Sequence, residues 1–227
     1  MKQLLSVGCS NTLGVDLEEE IDLTNSSNKF EDIRAYREKN NFSTLVAEYF
    51  NLECINLGKS GASNERIIIT TVDYIENNPK PELVLVNLSA SSRITLEIGG
   101  RLVDIDLTYP NTLLKQSTGI EEKDFIPFLN FYKRNCVTDY NLIVKQKNLY
   151  RYISLYLEKL DIPFLISETI PTDLNLKEFT NKCLDVNFDD FNTSQGRRRA
   201  KGNHWLSDSH KEWAKLIINK IEQNDSI

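Results

Sequence analysis

Leu83-Val84-Leu85-Val86-Asn87-Leu88 is a run of strand length with no charge and a single polar side chain. Such a run fits a central parallel strand covered on both faces, whereas a half-solvated antiparallel strand would alternate. Working outward from it, Lys2 to Val7 reads as a strand ending at Gly8, and Glu53 to Leu57 as a second ending at Gly58. Between them Phe42, Leu45, Val46, Tyr49 and Phe50 recur at helical spacing, which predicts an amphipathic helix over 43–51. Ser63 or Asn64 caps a further helix through Ile67, Ile68, Val72 and Ile75, stopped at Asn78-Pro79. Strand, helix, strand, helix, strand implies right-handed crossovers and a parallel sheet.

Downstream, Pro163 to Ser167 is a fourth core strand, and 121–134, 138–160 and 206–222 read as helices. Residues 175–183 also read as helical, 185–203 as a polar loop, and 16–41 as an irregular excursion with one helical turn around Phe30 to Tyr36. Arg93 to Ile98 and Arg101 to Leu107 alternate about Gly99-Gly100, the signature of a β-hairpin. The expectation is one domain over 1–227: three α/β/α layers around a parallel sheet, with a hairpin inserted at about 93–107.

The chain has 227 residues, 40% of them hydrophobic and 26% charged, with a net charge of −6. That balance argues against a general nucleic-acid binder, which presents a basic face. No apolar stretch approaches the ~18 residues of a membrane span, and Leu4, Leu5 and Val7 are too short a run for a secretory signal. The expected setting is therefore cytoplasmic, with no membrane or nucleic-acid partner. Cys9, Cys54, Cys136 and Cys183 are scattered without a CxxC pair, which predicts reduced thiols, no metal and no cofactor.

Ligands of an open parallel sheet bind beyond the carboxyl ends of its strands. Ser10 stands there, after Gly8, and a serine hydroxyl becomes a useful nucleophile only beside a base. The chain has two histidines. His204 precedes the last helix, while His210 lies on it and reads as a packing residue. Asn56-Leu-Gly58-Lys59-Ser60-Gly61-Ala-Ser63-Asn64 puts glycines at the tip of the second strand, where backbone N–H groups can hold an oxyanion. Asn87-Leu-Ser89-Ala-Ser-Ser-Arg93 closes the third strand. Gly196-Arg-Arg-Arg199-Ala-Lys201 is a basic run in an acidic protein, read as a solvated loop or as a lure for an anionic substrate. Tyr140, Tyr150, Tyr152 and Tyr156 read as packing on a helix.

In order, these segments resemble the four blocks of the SGNH (GDSL-type) hydrolase superfamily. Gly8-Cys9-Ser10-Asn11-Thr12 is similar to the first block, Gly-Asp-Ser-x-Thr, and Gly61 to the second-block glycine. Asn87-Leu88-Ser89-Ala90 falls where Gly-x-Asn-Asp belongs. His204-Trp205, followed by His210 and Trp213-Ala214, resembles the ending of phage-type members. The resemblance implies a flavodoxin-like sheet, Ser10 as nucleophile, His204 as base, and an oxyanion hole from the N–H groups of Ser10 and Gly61 with Ser89 or Asn87. Arg93, Arg199 and Lys201 are then candidates to meet substrate. Four positions depart from the family pattern: Cys9 for aspartate, Ser89 for asparagine, Trp205 for proline, and Lys201 for the acid of Asp-x-x-His. The group that holds His204 is left open between a main-chain carbonyl and Asp185, Asp189 or Asp190.

The implied activity is a serine esterase removing an ester-linked acyl group, for example O-acetyl from a carbohydrate or small molecule, in a chain that can also self-associate. The rival is a catalytically impaired binding or structural component on the same fold, virion-associated if phage-encoded.

Overall fold

The computed structural model describes residues 2–24, 26–98, 100–107, 122–171 and 174–223. Strands β1 (Gln3–Val7), β2 (Glu53–Asn56), β3 (Leu83–Leu88) and β6 (Phe164–Glu168) form a parallel sheet in the order β2-β1-β3-β6. β3 lies inside the sheet and is buried at every position, as its sequence predicts.

Alternation along the strands sends side chains to opposite faces. Leu5, Val7, Val84, Val86, Leu88 and Ile166 meet α4 (Asn64–Asn77) and α6 (Asp139–Lys159) through Ile67, Ile68, Tyr150, Ile153 and Leu157. Leu4, Leu83, Leu85 and Leu165 meet α3 (Phe42–Tyr49) and α8 (Ser207–Gln223) through Phe42, Val46, Trp213, Ala214 and Ile217. Each fully buried large side chain contributes about 1.5–3 kcal/mol, so these two cores hold the three layers together.

The hairpin of β4 (Arg93–Ile98) and β5 (Arg101–Asp106) forms its own two-stranded sheet. Ile98 pairs with Arg101 across the turn, where Gly100 takes φ +73° and Gly99 lies outside the described residues. Its apolar side, Ile94, Val103, Ile105 and Leu107, packs on Leu129 of α5 (Glu122–Asn135).

Three expectations are corrected. Residues 29–40 form a twelve-residue helix, α2 (Lys29–Asn40), where the polar sequence predicts a single turn. α2 buries none of its residues, so it carries no apolar periodicity. Asn28 caps it, Arg34 pairs with Glu38, and Arg37 pairs with Glu18. Within 175–183 only Leu176–Glu178 is helical, as a 3-10 turn. The polar loop 185–203 contains α7 (Phe188–Ser194), capped by Asn187, whose side chain accepts from the Asp190 N–H.

His210 is fully buried in α8, stacked on Phe42 at 5.6 Å, and its Nδ1 accepts the Phe42 N–H at 3.2 Å. Burial pushes its pKa down to about 3. Between that value and the unfolded value near 6.5, the unfolded chain binds one proton more than the folded one. This part of the stability is therefore present above pH ~6.5 and lost as pH falls through the window. In urea unfolding at pH 6.5 and 4.5, His210→Gln should shed one proton's worth of that slope; an unchanged slope would contradict the assignment.

Candidate active site

β1 ends at Val7, and the chain turns through Gly8 and Cys9 into the short helix α1 (Ser10–Leu13). Gly8 is required by close approach, since a Cβ there would lie 2.0 Å from Thr12 Oγ1 and 2.9 Å from Asn87 Cβ. Cys9 is buried, its Sγ 3.2 Å from Thr169 Oγ1 beyond β6. Ser10 opens α1, so its N–H is one of the first-turn amides that lack an intrahelical partner. Gly14 then caps α1 in the left-handed conformation and returns the chain towards Asp16.

His204 arrives from the other end of the sequence. Arg199 and Trp205 form an antiparallel bridge, and the Ala200 N–H donates to His204 O at 2.8 Å. These bonds close a tight turn over Lys201-Gly202-Asn203, with Asn203 at φ +70°. Arg199 lies over the Trp205 ring at 4.1 Å, and Asp189 ties Arg199 Nη2 (2.8 Å) to Trp205 Nε1 (3.0 Å).

The two segments meet. His204 Nε2 is 2.9 Å from Ser10 Oγ, and His204 Nδ1 is 2.7 Å from Asp16 Oδ2. Ser10 is nearly buried, whereas the His204 and Asp16 side chains are about one-fifth to one-quarter exposed. Hydroxyl, imidazole and carboxylate in this sequence of contacts can activate a serine and stabilise the imidazolium that forms. The structure thus puts a side-chain carboxylate on His204, and none of the expected candidates supplies it. Asp185 pairs with Lys177, Asp189 braces the histidine loop, and Asp190 bonds Asn187.

Nothing in the sequence around Asp16 singles it out. It sits at φ +69° before the 3-10 turn Leu17–Glu20, and Gly202 makes room for it: a Cβ at Gly202 would lie 1.8 Å from Asp16 Oδ2. The local signal was weak, an acid shortly after Gly14 in a polar segment. The acidic run Glu18-Glu19-Glu20 anchors this loop residue by residue. Glu18 takes Arg37 of α2, Glu19 accepts the Lys201 N–H at 3.0 Å, and Glu20 accepts the Ser207 N–H at 3.0 Å and its hydroxyl at 3.1 Å.

The oxyanion candidates fall in different places. Gly61 takes φ +76° within a turn closed by the Ala62 N–H donating to Lys59 O at 3.1 Å. Ser89 is buried; Asn64 grips its backbone at both ends, with the Ser89 N–H donating to Asn64 Oδ1 (2.7 Å) and Asn64 Nδ2 donating to Ser89 O (3.0 Å). Arg93 Nη1 donates to Ser89 Oγ at 2.6 Å. Asn87 is turned into the sheet, where its amide donates to Ser6 Oγ and Val7 O and accepts from Ser167 Oγ. Lys201 is exposed.

No family model and no curated protein sequence matches the chain. Solved structures do. One is a carbohydrate esterase, described as having an active site with divergent catalytic and non-catalytic binding functions. It matches at 12% identity and a TM-score of 0.53 over 99% of this chain, which spans 65% of that protein's length. Another is a catalytic mutant of an acetylxylan esterase from Geobacillus stearothermophilus. It matches at 11% identity and a TM-score of 0.53, covering 97% of this chain and 94% of that one. The chain shares the α/β fold of these two esterases.

Glu20 acts as a remote cap for the first turn of α8, so Glu20→Ala should cost about 1 kcal/mol, the usual worth of a helix cap. Denaturant unfolding measures it, and an unmoved midpoint would count against the cap.

Proposed function

We propose that this protein is a serine esterase that removes an ester-linked acyl group, with Ser10, His204 and Asp16 as its catalytic residues. The contact that carries the reading is Ser10 Oγ to His204 Nε2 at 2.9 Å, with the opposite ring nitrogen on a carboxylate. Ser10 attacks the acyl carbonyl while His204 Nε2 takes the hydroxyl proton. Asp16 accepts the Nδ1–H and so fixes the tautomer that leaves Nε2 free as a base. His204 returns its proton to the leaving alcohol, and a water activated by the same nitrogen then cleaves the acyl-enzyme. The N–H groups of Ser10 and Gly61, with the Ser89 hydroxyl, face the developing oxyanion in this reading. Asn87 has no part in it, because its amide hydrogens are directed at Ser6 and Val7.

The substrate we favour is an uncharged ester such as an O-acetylated carbohydrate. Arg93 is paired with Asp106 and Arg199 with Asp189, so both arginines are already committed to carboxylates. The two neighbours named above act on acylated carbohydrates or acetylxylan, which supports the same class. The rival reading, an impaired binding protein, rests on Lys201 in place of the acid and on Ser89 in place of the oxyanion asparagine; Asp16 on His204 Nδ1 supplies an acid and answers the first of these.

A short acyl ester such as p-nitrophenyl acetate tests the assignment. Ser10→Ala and His204→Ala should each lower kcat by on the order of 10⁴–10⁶, and Asp16→Asn by about 10⁴. Lys201→Ala should leave the rate unchanged, since its side chain stands outside the triad. A wild type no faster than Ser10→Ala would end the esterase reading. An Asp16→Asn enzyme as fast as wild type would remove Asp16 alone.

A further inference from the structure

The inserted hairpin carries an acid that catalysis as described does not use. Asp104, on β5, is almost completely buried, with 5% of its side chain exposed. Both of its oxygens are engaged, and by the loop that bears Gly61 rather than by its own strand alone. Oδ2 takes Lys59 Nζ at 2.8 Å and Arg66 Nε at 3.2 Å. Oδ1 accepts the Ser63 N–H at 3.4 Å and the Thr95 hydroxyl at 2.7 Å. Thr95 in turn lies 2.6 Å from Ser63 Oγ, the cap of α4.

We propose that Asp104 is a positioning residue for the oxyanion hole: its carboxylate straddles the Lys59–Ala62 turn and fixes the direction of the Gly61 N–H. The geometry of the turn gives the reason. Gly61 occupies the left-handed position of a four-residue turn, and such a turn holds its central peptide by one end-to-end bond. The Lys59 N–H is held by Gly8 O at 2.9 Å, and Asp104 adds its Oδ2 on the Lys59 ammonium and its Oδ1 on the Ser63 N–H, so both ends of the turn are tied down. The peptide between them is thereby stopped from flipping. Burial alone would raise the carboxyl's pKa, yet Lys59, Thr95 and Arg66 outweigh it and keep the group below the ordinary aspartate range. Asp104 is therefore a fixed negative charge at working pH.

The same hairpin reaches the other candidate donor. Arg93, on β4, binds Ser89 Oγ through Nη1 while Nε rests 3.3 Å from Asp106 Oδ2. By accepting from a guanidinium, the Ser89 hydroxyl directs its own proton away from Arg93 and becomes a better donor, as hydrogen bonds in a chain polarise one another. The hairpin thus stands behind both oxyanion elements outside α1.

The kinetic part of this proposal rests on the esterase reading; the positional part does not. In the full chain, Asp104→Ala should lower kcat on p-nitrophenyl acetate by about 10–10²-fold, less than outright loss of an oxyanion donor. KM should stay within twofold, roughly the spread expected when only transition-state contacts are lost. Asp104→Asn keeps the acceptor for Ser63 and Thr95 but sets an amide N–H2 against Lys59 Nζ and Arg66 Nε, so it should recover part of the loss and not all of it. Independently of activity, amide hydrogen exchange over residues 59–63 should speed up about tenfold or more in Asp104→Ala while Leu83–Leu88 stays protected. If Asp104→Ala fails to fold, Thr95→Val is read by the same two measurements, with smaller shifts in the same direction. Unchanged exchange at 59–63 overturns the proposal whatever the kinetics. An inactive wild type with faster exchange in the variant removes the esterase reading and leaves the positional role standing.

Discussion

The contact between Asp16 and His204 joins residues 188 apart in sequence, and much of the surrounding chain is shaped to let it form. A carboxylate can reach the imidazole only if the loop carrying it passes under the turn carrying the histidine. That crossing leaves no room for a Cβ at Gly202. It also places Asp16 and Asn203 in left-handed backbone conformations, at φ +69° and +70°. Asn and Asp are the non-glycine residues that accept that region most readily. Strain of this kind persists where surrounding contacts over-determine it. Here Glu18, Glu19 and Glu20 supply them, tying the Asp16 loop to α2, to the histidine turn and to the start of α8.

Beneath the site a line of buried polar groups crosses the sheet. Ser43 Oγ bonds Ser6 Oγ at 2.7 Å, Asn87 donates to Ser6 Oγ at 3.1 Å, and Ser167 donates to Asn87 Oδ1 at 2.8 Å. Such a line is costly unless each group is satisfied, and satisfied it fixes register. It locks α3, β1, β3 and β6 to one another one step before the strands open into their functional loops. Asn87 is therefore committed to the sheet. Leaving the sheet to reach substrate would strand the hydroxyls on both sides of it.

What was legible in the sequence follows from how local each signal is. β3 and the helices α4, α6 and α8 could be read because apolar spacing within one segment reports burial directly. Ser10 and His204 could be paired because strand ends and the last helix converge at one edge of a parallel sheet. Asp16 could not, since its role depends on a crossing with a turn near the other end of the chain. α2 escaped for the opposite reason. Its stability comes from caps and from ion pairs such as Arg37 with Glu18, which leave no period in hydrophobicity. Asp189 and the arginines near it show the limit of composition, which displays charge without its partners. Arg199 looked like a free cation and is instead neutralised by Asp189 and laid over Trp205.

An acid that follows the serine in the chain, rather than preceding the histidine, changes how the three side chains are held together. Ser10 and Asp16 now travel on one short loop, joined through α1 and the left-handed turn at Gly14. Their separation is set locally, within a few residues, and does not depend on the distant loop. His204 alone arrives from elsewhere, and both its ring nitrogens are engaged by that one loop. The ring is thus gripped from both sides, and a small shift of the 199–205 turn would weaken both contacts together. That is why the turn is braced by Asp189, by the Arg199–Trp205 stack and by Glu19 on the Lys201 N–H. Lys201 itself can then be any residue whose side chain stays in solvent, because what the site takes from that position is its backbone.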